Sequence, residues 1–330
     1  MASSKPSSAS TPRRVLLIKL GAFGDFIVAL AHMKAVREAH PDAHLTLLTT
    51  PTFAGLGRAC GLFDDVRDDG RPKGLIAQVR LAFDLRRQGF GRVYDLQRND
   101  RTRLMFQIMR LGRPHLEWSG VFKGASHYLP DPREPYRHAA VRYTEQLAAA
   151  GLHEVPEHSD LSFLEGDLSS LPLPTGPMLL MVPGGAPQRP AKRAPSDTFI
   201  AVARHALSRG VTPVLIGTDK EAGALEAIRA AVPEAVSLQG RTDFGQLASL
   251  ARRASAAVGN DTGPMHLIAV AGCSSVVLFS RESNPVECRP WAPSVETLQR
   301  DDLADLPAAE VVEAVDRALI AARTGLGGGS

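Results

Sequence analysis

Short apolar runs recur along this chain, each followed by a turn of small residues and then by a stretch with helical spacing. Residues 14–20 (R-V-L-L-I-K-L), 45–49, 92–96, 178–182, 212–217, 235–238, 255–258 and 275–279 read as buried strands, and 115–118 as a further short one. Helical periodicity falls on 26–39, 52–59, 74–88, 102–111, 134–150, 196–208, 220–231, 244–253, 267–271 and 308–322. Alternation of strands and helices at these lengths predicts parallel, doubly wound α/β sheets.

The alternation breaks once, at 168–177, where three prolines and a glycine make a semi-rigid segment. It then restarts, and a length of 330 residues suits two domains. The expected organisation is a tail at 1–12, a first domain at 13–167, a linker at 168–177 acting as a hinge, a second domain at 178–307, a helix at 308–323 that packs back on the first domain, and a tail at 324–330. A net charge of +3 is too small to imply a nucleic-acid partner. The three cysteines, Cys60, Cys273 and Cys288, lack C-x-x-C spacing, which points to reduced thiols and neither a metal site nor a disulfide framework. The N-terminal residues lack the apolar core of a secretory signal, and no apolar run approaches the roughly 18 residues of a membrane span. The expectation is therefore a cytoplasmic protein.

Two turns carry chemistry. The first is G-N-D-T-G-P-M-H at 259–266, a tight connection from strand to helix. Asp261 suits the helix N-cap, Gly263 permits close approach to the backbone, and Pro264 is tolerated in a first turn. The unpartnered N–H groups and positive dipole end of such a helix suit a diphosphate. His266 lies on the same helix face as Thr262. A satisfied histidine on a well-capped core helix is the plainer reading. The second turn is G-A-F-G-D at 21–25, which lacks the G-x-G-x-x-G spacing of dinucleotide-binding folds. Asp25 is either a helix cap or a carboxylate at the carboxyl edge of the sheet, where open α/β sheets bind ligands.

From about residue 14 to 322 the chain resembles glycosyltransferase family 9, the ADP-heptose:lipopolysaccharide heptosyltransferases. V-L-L-I-K-L-G-A-F-G-D (15–25), Y-D-L-Q (94–97), V-P-G-G-A with A-K-R-A-P (182–186, 191–195), L-I-G-T-D-K-E (215–221), L-Q-G-R-T-D-F-G-Q-L-A-S-L (238–250) and G-N-D-T-G-P-M-H (259–266) follow the family's order. Ala194 stands where the family usually has Trp, Thr218 and Asp219 replace a Gly-Pro pair, and Ser280 replaces a Gly. Two of these departures lie where the donor's base and ribose sit.

The resemblance implies the GT-B fold, two Rossmann-like domains facing across a cleft. It implies inverting sugar transfer from a nucleotide diphosphate sugar, most directly a heptose from ADP-heptose. The acceptor would be a lipopolysaccharide core or a related anionic glycan. The chain contains no D-x-D carboxylate pair, so no metal cofactor is expected. Charge on the departing diphosphate would be met by the helix end at Asp261, Thr262 and Gly263, with Lys192 and His266. Asp25 is the candidate base. Glu221 would hold the ribose, and the turn Gly184, Gly185 and Ala186 would meet phosphate. Gly24, Gln97, Arg98 and Arg101 would face the acceptor, with Arg103 and Arg113 as further cations, because the planar guanidinium suits carboxylates and phosphates. A glycolipid acceptor is compatible with peripheral contact at the cytoplasmic face of the inner membrane. Three alternatives share these residues: a GT-B transferase of another sugar or acceptor, a nucleotide-sugar epimerase, and a binding protein without catalysis.

Overall fold

The computed structural model describes residues 12–130, 136–185 and 189–325. The first half runs β1 (Arg14–Ile18), α1 (Phe23–Ala39), β2 (His44–Leu48), α2 (Pro51–Ala59), β3 (Asp65–Arg67), α3 (Leu75–Arg87), β4 (Arg92–Asp95), α4 (Asp100–Arg110), β5 (Glu117–Gly120), β6 (His127–Tyr128) and α5 (Ala139–Ala149). The second runs β7 (Met178–Val182), α6 (Ser196–Ser208), β8 (Thr212–Leu215), α7 (Ala222–Ala231), β9 (Val236–Ser237), α8 (Phe244–Arg253), β10 (Ala256–Asn260), α9 (Gly263–Val270), β11 (Ser275–Phe279), α10 (Pro285–Cys288), β12 (Val295–Gln299) and α11 (Ala308–Gly325).

Each half builds one six-stranded sheet, in the orders β3-β2-β1-β4-β5-β6 and β12-β11-β10-β7-β8-β9, with every pairing parallel. Counted from the first strand of each sheet, both orders are 3-2-1-4-5-6. The strand order reverses between β1 and β4 in the first sheet and between β7 and β10 in the second. Residues leaving those strands define the crevice where doubly wound sheets take ligands. The central strands are apolar on both faces, as burial under helices requires: β7, β10 and β11 are buried throughout. Leu16, Ile18, Val93, Leu85 and Trp118 lie in the first core, and Leu179, Val258, Phe199 and Leu278 in the second.

The chain divides into two compact units, and the division differs from the one expected. Ala22–Leu30, Arg133–Val141 and Glu157–Ser330 form one, and the remainder forms the other. Asp25 therefore belongs to the unit of the second sheet. The proline-rich stretch 168–177 lies inside that unit, since the chain before it is already bound to α8. Arg252 donates to the carbonyls of Leu161 and Leu164, Gln246 to Asp167 O, and Ser249 Oγ accepts from Gly166 N. The last helix, α11, buries Val311, Ala314, Val315 and Leu319 in the second core. Among the residues expected in tails, 1–11 and 326–330 lie outside those described, while residues 324 and 325 continue α11.

Two helix starts also shift. The first turn of α1 begins at Phe23, so Asp25 sits within the helix. α6 starts at Ser196, as the periodicity predicts, with Pro195 in the cap position and no side-chain cap hydrogen bond. The N-cap of α9 is Thr262, with Asp261 one residue outside it. The cap of α8 is Asp243, which accepts from Gln246 N at 2.7 Å, while Gln246 Oε1 accepts from Asp243 N at 3.1 Å.

Candidate active site

At the switch point of the second sheet, β7 runs out into Pro183-Gly184-Gly185 and β10 into Asp261-Thr262. Between them lies a cavity of about 480 Å³, lined by Gly184, Gly185, Thr218, Glu221, Thr262 and Pro264 among others. The cavity thus collects residues from three separate motifs. Ala186 falls outside the described residues.

Its walls are fixed by a residue that sequence reasoning passed over. Asn260 ends β10 fully buried. Its Nδ2 donates to Pro183 O at 2.8 Å and Gly184 O at 3.0 Å, and its Oδ1 accepts from Ala194 N at 3.1 Å. One amide therefore clamps the glycine turn, the segment after Lys192 and the start of the motif helix. A polar residue closing an otherwise apolar strand was the available signal. Asn260→Ala leaves three buried backbone groups without partners and should destabilise the protein by about 2–3 kcal/mol, measured by urea denaturation. An unchanged midpoint would mean that those groups find water instead.

Asp261 does not cap α9. Its Oδ2 accepts from Lys192 Nζ at 2.6 Å and Ser283 Oγ at 2.7 Å, and its Oδ1 lies 3.8 Å from His266 Nε2. Burial pushes the carboxyl up, but the His266 imidazole, the Lys192 ammonium and the Ser283 hydroxyl outweigh it and hold it at about 2. It is ionised at neutral pH, and the Lys192–Asp261 pair carries no net charge. Lys192 keeps two further N–H donors in a fixed position. Thr262 takes the cap, yet its Oγ1 is buried without a hydrogen-bond partner, as is His266 Nδ1. The α9 start thus presents backbone N–H groups and an unused hydroxyl beside the cavity.

Glu221 lines the cavity with one oxygen engaged, because Oε2 accepts from Thr218 N at 2.8 Å and Thr218 Oγ1 at 2.6 Å. Thr218, one of the departures from the family pattern, is therefore what orients the glutamate. Arg193 donates through Nε and Nη2 to Gly185 O, at 3.1 and 2.6 Å, and braces the glycine turn.

The start of α1 joins this site within the same unit. A Cβ on Gly24 would lie 2.6 Å from the His266 ring, and one on Gly263 would overlap the Phe23 side chain. Only glycines allow the two helix starts to meet this closely. The group admitted at Gly263 is Phe23, which also stacks on Phe244 with ring centroids 4.7 Å apart. Asp25 follows in the same turn of α1. His138, also unassigned from sequence, lies within electrostatic range of Asp25 and His266. It accepts from Ala140 N at Nδ1, donates to Arg289 O at 2.8 Å, and stacks on Trp291. Burial lowers its pKa to about 4, so it is neutral at physiological pH.

The first sheet holds Gln97 and Arg98 at its own switch point, with Arg101 and Arg103 in the helix that follows, while Arg113 lies beyond the far end of α4, next to the start of β5. Gln97 Oε1 accepts from Leu20 N at 2.8 Å, tying the exit of β4 to that of β1. Arg98 adopts φ +57°, held by Asp95, whose Oδ1 accepts from the Gln97 and Arg98 N–H groups. Burial raises Asp95 to about 6 against those hydrogen bonds. Arg101 donates to Pro72 O and Arg113 to Arg86 O, so both guanidiniums also hold backbone, and Arg103 lies 3.7 Å from Asp100. Among the described residues, no group of three His, Cys, Asp or Glu is placed to hold a metal, and no helix is long and apolar enough to cross a membrane.

Comparison with known proteins closes the identification. A lipooligosaccharide heptosyltransferase 2 of Haemophilus influenzae is 32% identical over 104 residues, spanning 30% of this chain and 30% of that protein's length. A solved glycosyl transferase family 9 structure from Veillonella parvula superposes with a TM-score of 0.75 at 21% identity, over 93% of this chain and 97% of its own. E. coli ADP-heptose lps heptosyltransferase II superposes at 0.72 and 20% identity, over 93% and 98%. The two structures bear on the fold, and with the twin parallel sheets they bear out the GT-B class. The model of glycosyltransferase family 9 (heptosyltransferase) matches residues 79–316, well over half of the chain; the chain belongs to that family.

Proposed function

We propose that this protein is an inverting, metal-independent glycosyltransferase that moves a heptose from ADP-heptose to a lipopolysaccharide core or a related anionic glycan. The observation that carries the reading is the shared wall of the cavity, where Glu221, the Gly184–Gly185 turn and the start of α9 meet. That set suits a nucleoside diphosphate. Glu221 accepts from ribose hydroxyls, while the N–H groups of α9, Thr262 Oγ1 and Lys192 take the diphosphate. Names of related proteins supply the heptose and the lipid-linked acceptor, and the chemistry is compatible with both.

In the reaction, an acceptor hydroxyl attacks the anomeric carbon from the face opposite the diphosphate. Asp25 takes the hydroxyl proton as the new C–O bond forms. The bond from the anomeric carbon to the phosphate oxygen breaks, and its electron pair leaves with the diphosphate. Negative charge grows on that oxygen as the sugar acquires oxocarbenium character. Fixed donors stabilise it best when they need no rearrangement, and Lys192 is already held by Asp261. Gln97, Arg98 and Arg101, at and just after the exit of β4, are the further groups proposed to contact the acceptor.

Two measurements test this. In a thermal-shift panel of nucleotide sugars, ADP-heptose should stabilise most, by about 2.7 kcal/mol at 100 times its Kd. A stronger response to another nucleotide would favour transfer of another sugar. Product formation should also continue in EDTA. Loss of activity on chelation, restored by Mg²⁺ or Mn²⁺, would sink metal independence.

A further inference from the structure

α3 belongs to the unit of the first sheet, and its inner face packs Leu81, Ala82 and Leu85 into that core. The opposite face of a surface helix is ordinarily polar. Here it carries Ile76, Arg80, Phe83 and Arg87, recurring at steps of four, three and four, which is a single stripe pointing away from the core. Ile76 is 72% exposed and Phe83 41%, and Leu75 beside them is 67% exposed. Both charges on the stripe are cationic. Arg71 and Lys73, also exposed, lead into the helix. The acid of α3, Asp84, lies off the stripe and accepts from Arg67 at 2.6 Å.

We propose that this face of α3 docks on an anionic lipid bilayer, with Ile76 and Phe83 entering the interface and Arg80 and Arg87 meeting the headgroups. The composition suits that partner: an arginine can lay its stem along the apolar boundary while its guanidinium stays at the level of lipid phosphate. Anionic surfaces attract such cations, and the apolar side chains then add burial that charge alone cannot supply. A second copy of the chain is a poorer fit. In a twofold pairing the stripe meets itself and sets arginines against arginines, and two apolar side chains fall far short of a stable interface, which buries about 1,200 Å² or more. The proposal gives the lipid-borne acceptor a route to the enzyme, and it rests on the preceding function only in that purpose.

The test uses sedimentation of the full chain with vesicles that carry no glycan, so vesicle binding and sugar transfer are scored separately. The protein should pellet with phosphatidylethanolamine–phosphatidylglycerol vesicles, remain in solution with phosphatidylcholine, and detach as salt is raised. Arg80→Glu/Arg87→Glu should lower the partition coefficient by about 25-fold or more, at about fivefold per cation lost. Ile76→Ser/Phe83→Ser should lower it on the order of tenfold or more. Both variants should keep the parent's melting temperature and ADP affinity, which shows that the fold is intact. Equal pelleting with both lipids, or variants that pellet like the parent, would overturn the proposal. So would a dimer in sedimentation equilibrium that Ile76→Ser/Phe83→Ser dissolves, since the stripe would then serve a second copy.

Discussion

Asp25→Asn should lower kcat by roughly 10²–10⁴, the usual worth of a general base, without weakening ADP binding. The amide keeps the size and one acceptor oxygen of the carboxylate but cannot take the acceptor's proton. The expectation about binding follows from placement. Asp25 lies in the unit that holds the cavity, and Gly24 beside it touches the His266 ring. It is therefore an anion near the proposed diphosphate site, and removing that charge can only ease the approach of another anion. A residue serving only the first turn of α1 behaves differently. Its loss costs a few tenths to about 1 kcal/mol of stability through the helix dipole and leaves turnover alone. Single-turnover rates with ADP-heptose, together with ADP titrations and melting curves, separate the two. Full turnover with a lowered melting temperature would assign Asp25 to the helix.

Much of this architecture is written locally. Strands such as β7 and β10 are continuous apolar runs, and α8 announces itself by Asp243 and Gln246 three residues apart. β3, β6 and β12 escaped because they are short or carry alternating polar residues at the sheet edges, where one neighbour supplies the pairing. The unit boundary escaped for another reason. Composition marks 168–177, but Arg252 and Gln246 bind the preceding segment from 79 to 91 residues away, and nothing local reports that. Site residues divide in the same way. Gly184, Glu221 and Thr262 could be named from their motifs, since each motif follows a strand at the carboxyl edge. Asn260 and Thr218 lay in those motifs too, but Ser283 and His138, which reach Asp261 and Arg289 O from distant segments, had no local signal. Asp261 is the clearest case: its residue type suits an N-cap, yet Lys192, 69 positions earlier, draws the carboxylate away and leaves the cap to Thr262.

That pairing sets what Lys192→Ala should do. The lysine is 2.6 Å from Asp261, and both side chains are largely buried. On the proposed mechanism, removing it takes one donor from the departing diphosphate, and it also leaves an ionised carboxylate unneutralised beside the site. The first effect alone is worth about 3 kcal/mol at the transition state, on the scale of one lost oxyanion donor, and falls mainly on kcat because charge grows as the bond breaks. The second opposes the bound diphosphate in both states and falls on affinity as well. The double variant Lys192→Ala/Asp261→Asn separates them. If Lys192 donates to the leaving group, affinity for ADP should recover in the double variant while kcat stays down on the order of 10²-fold. If the lysine serves only to neutralise Asp261, kcat should recover with it. The neighbouring cations are unequal controls. Arg189 is exposed, and Arg189→Ala should change little. Arg193 holds Gly185 O through two nitrogens, so Arg193→Ala should loosen the glycine turn and weaken ADP binding without the same loss in kcat. Equal small losses for Lys192, Arg189 and Arg193 would reduce the segment to diffuse attraction and remove Lys192 from the chemistry.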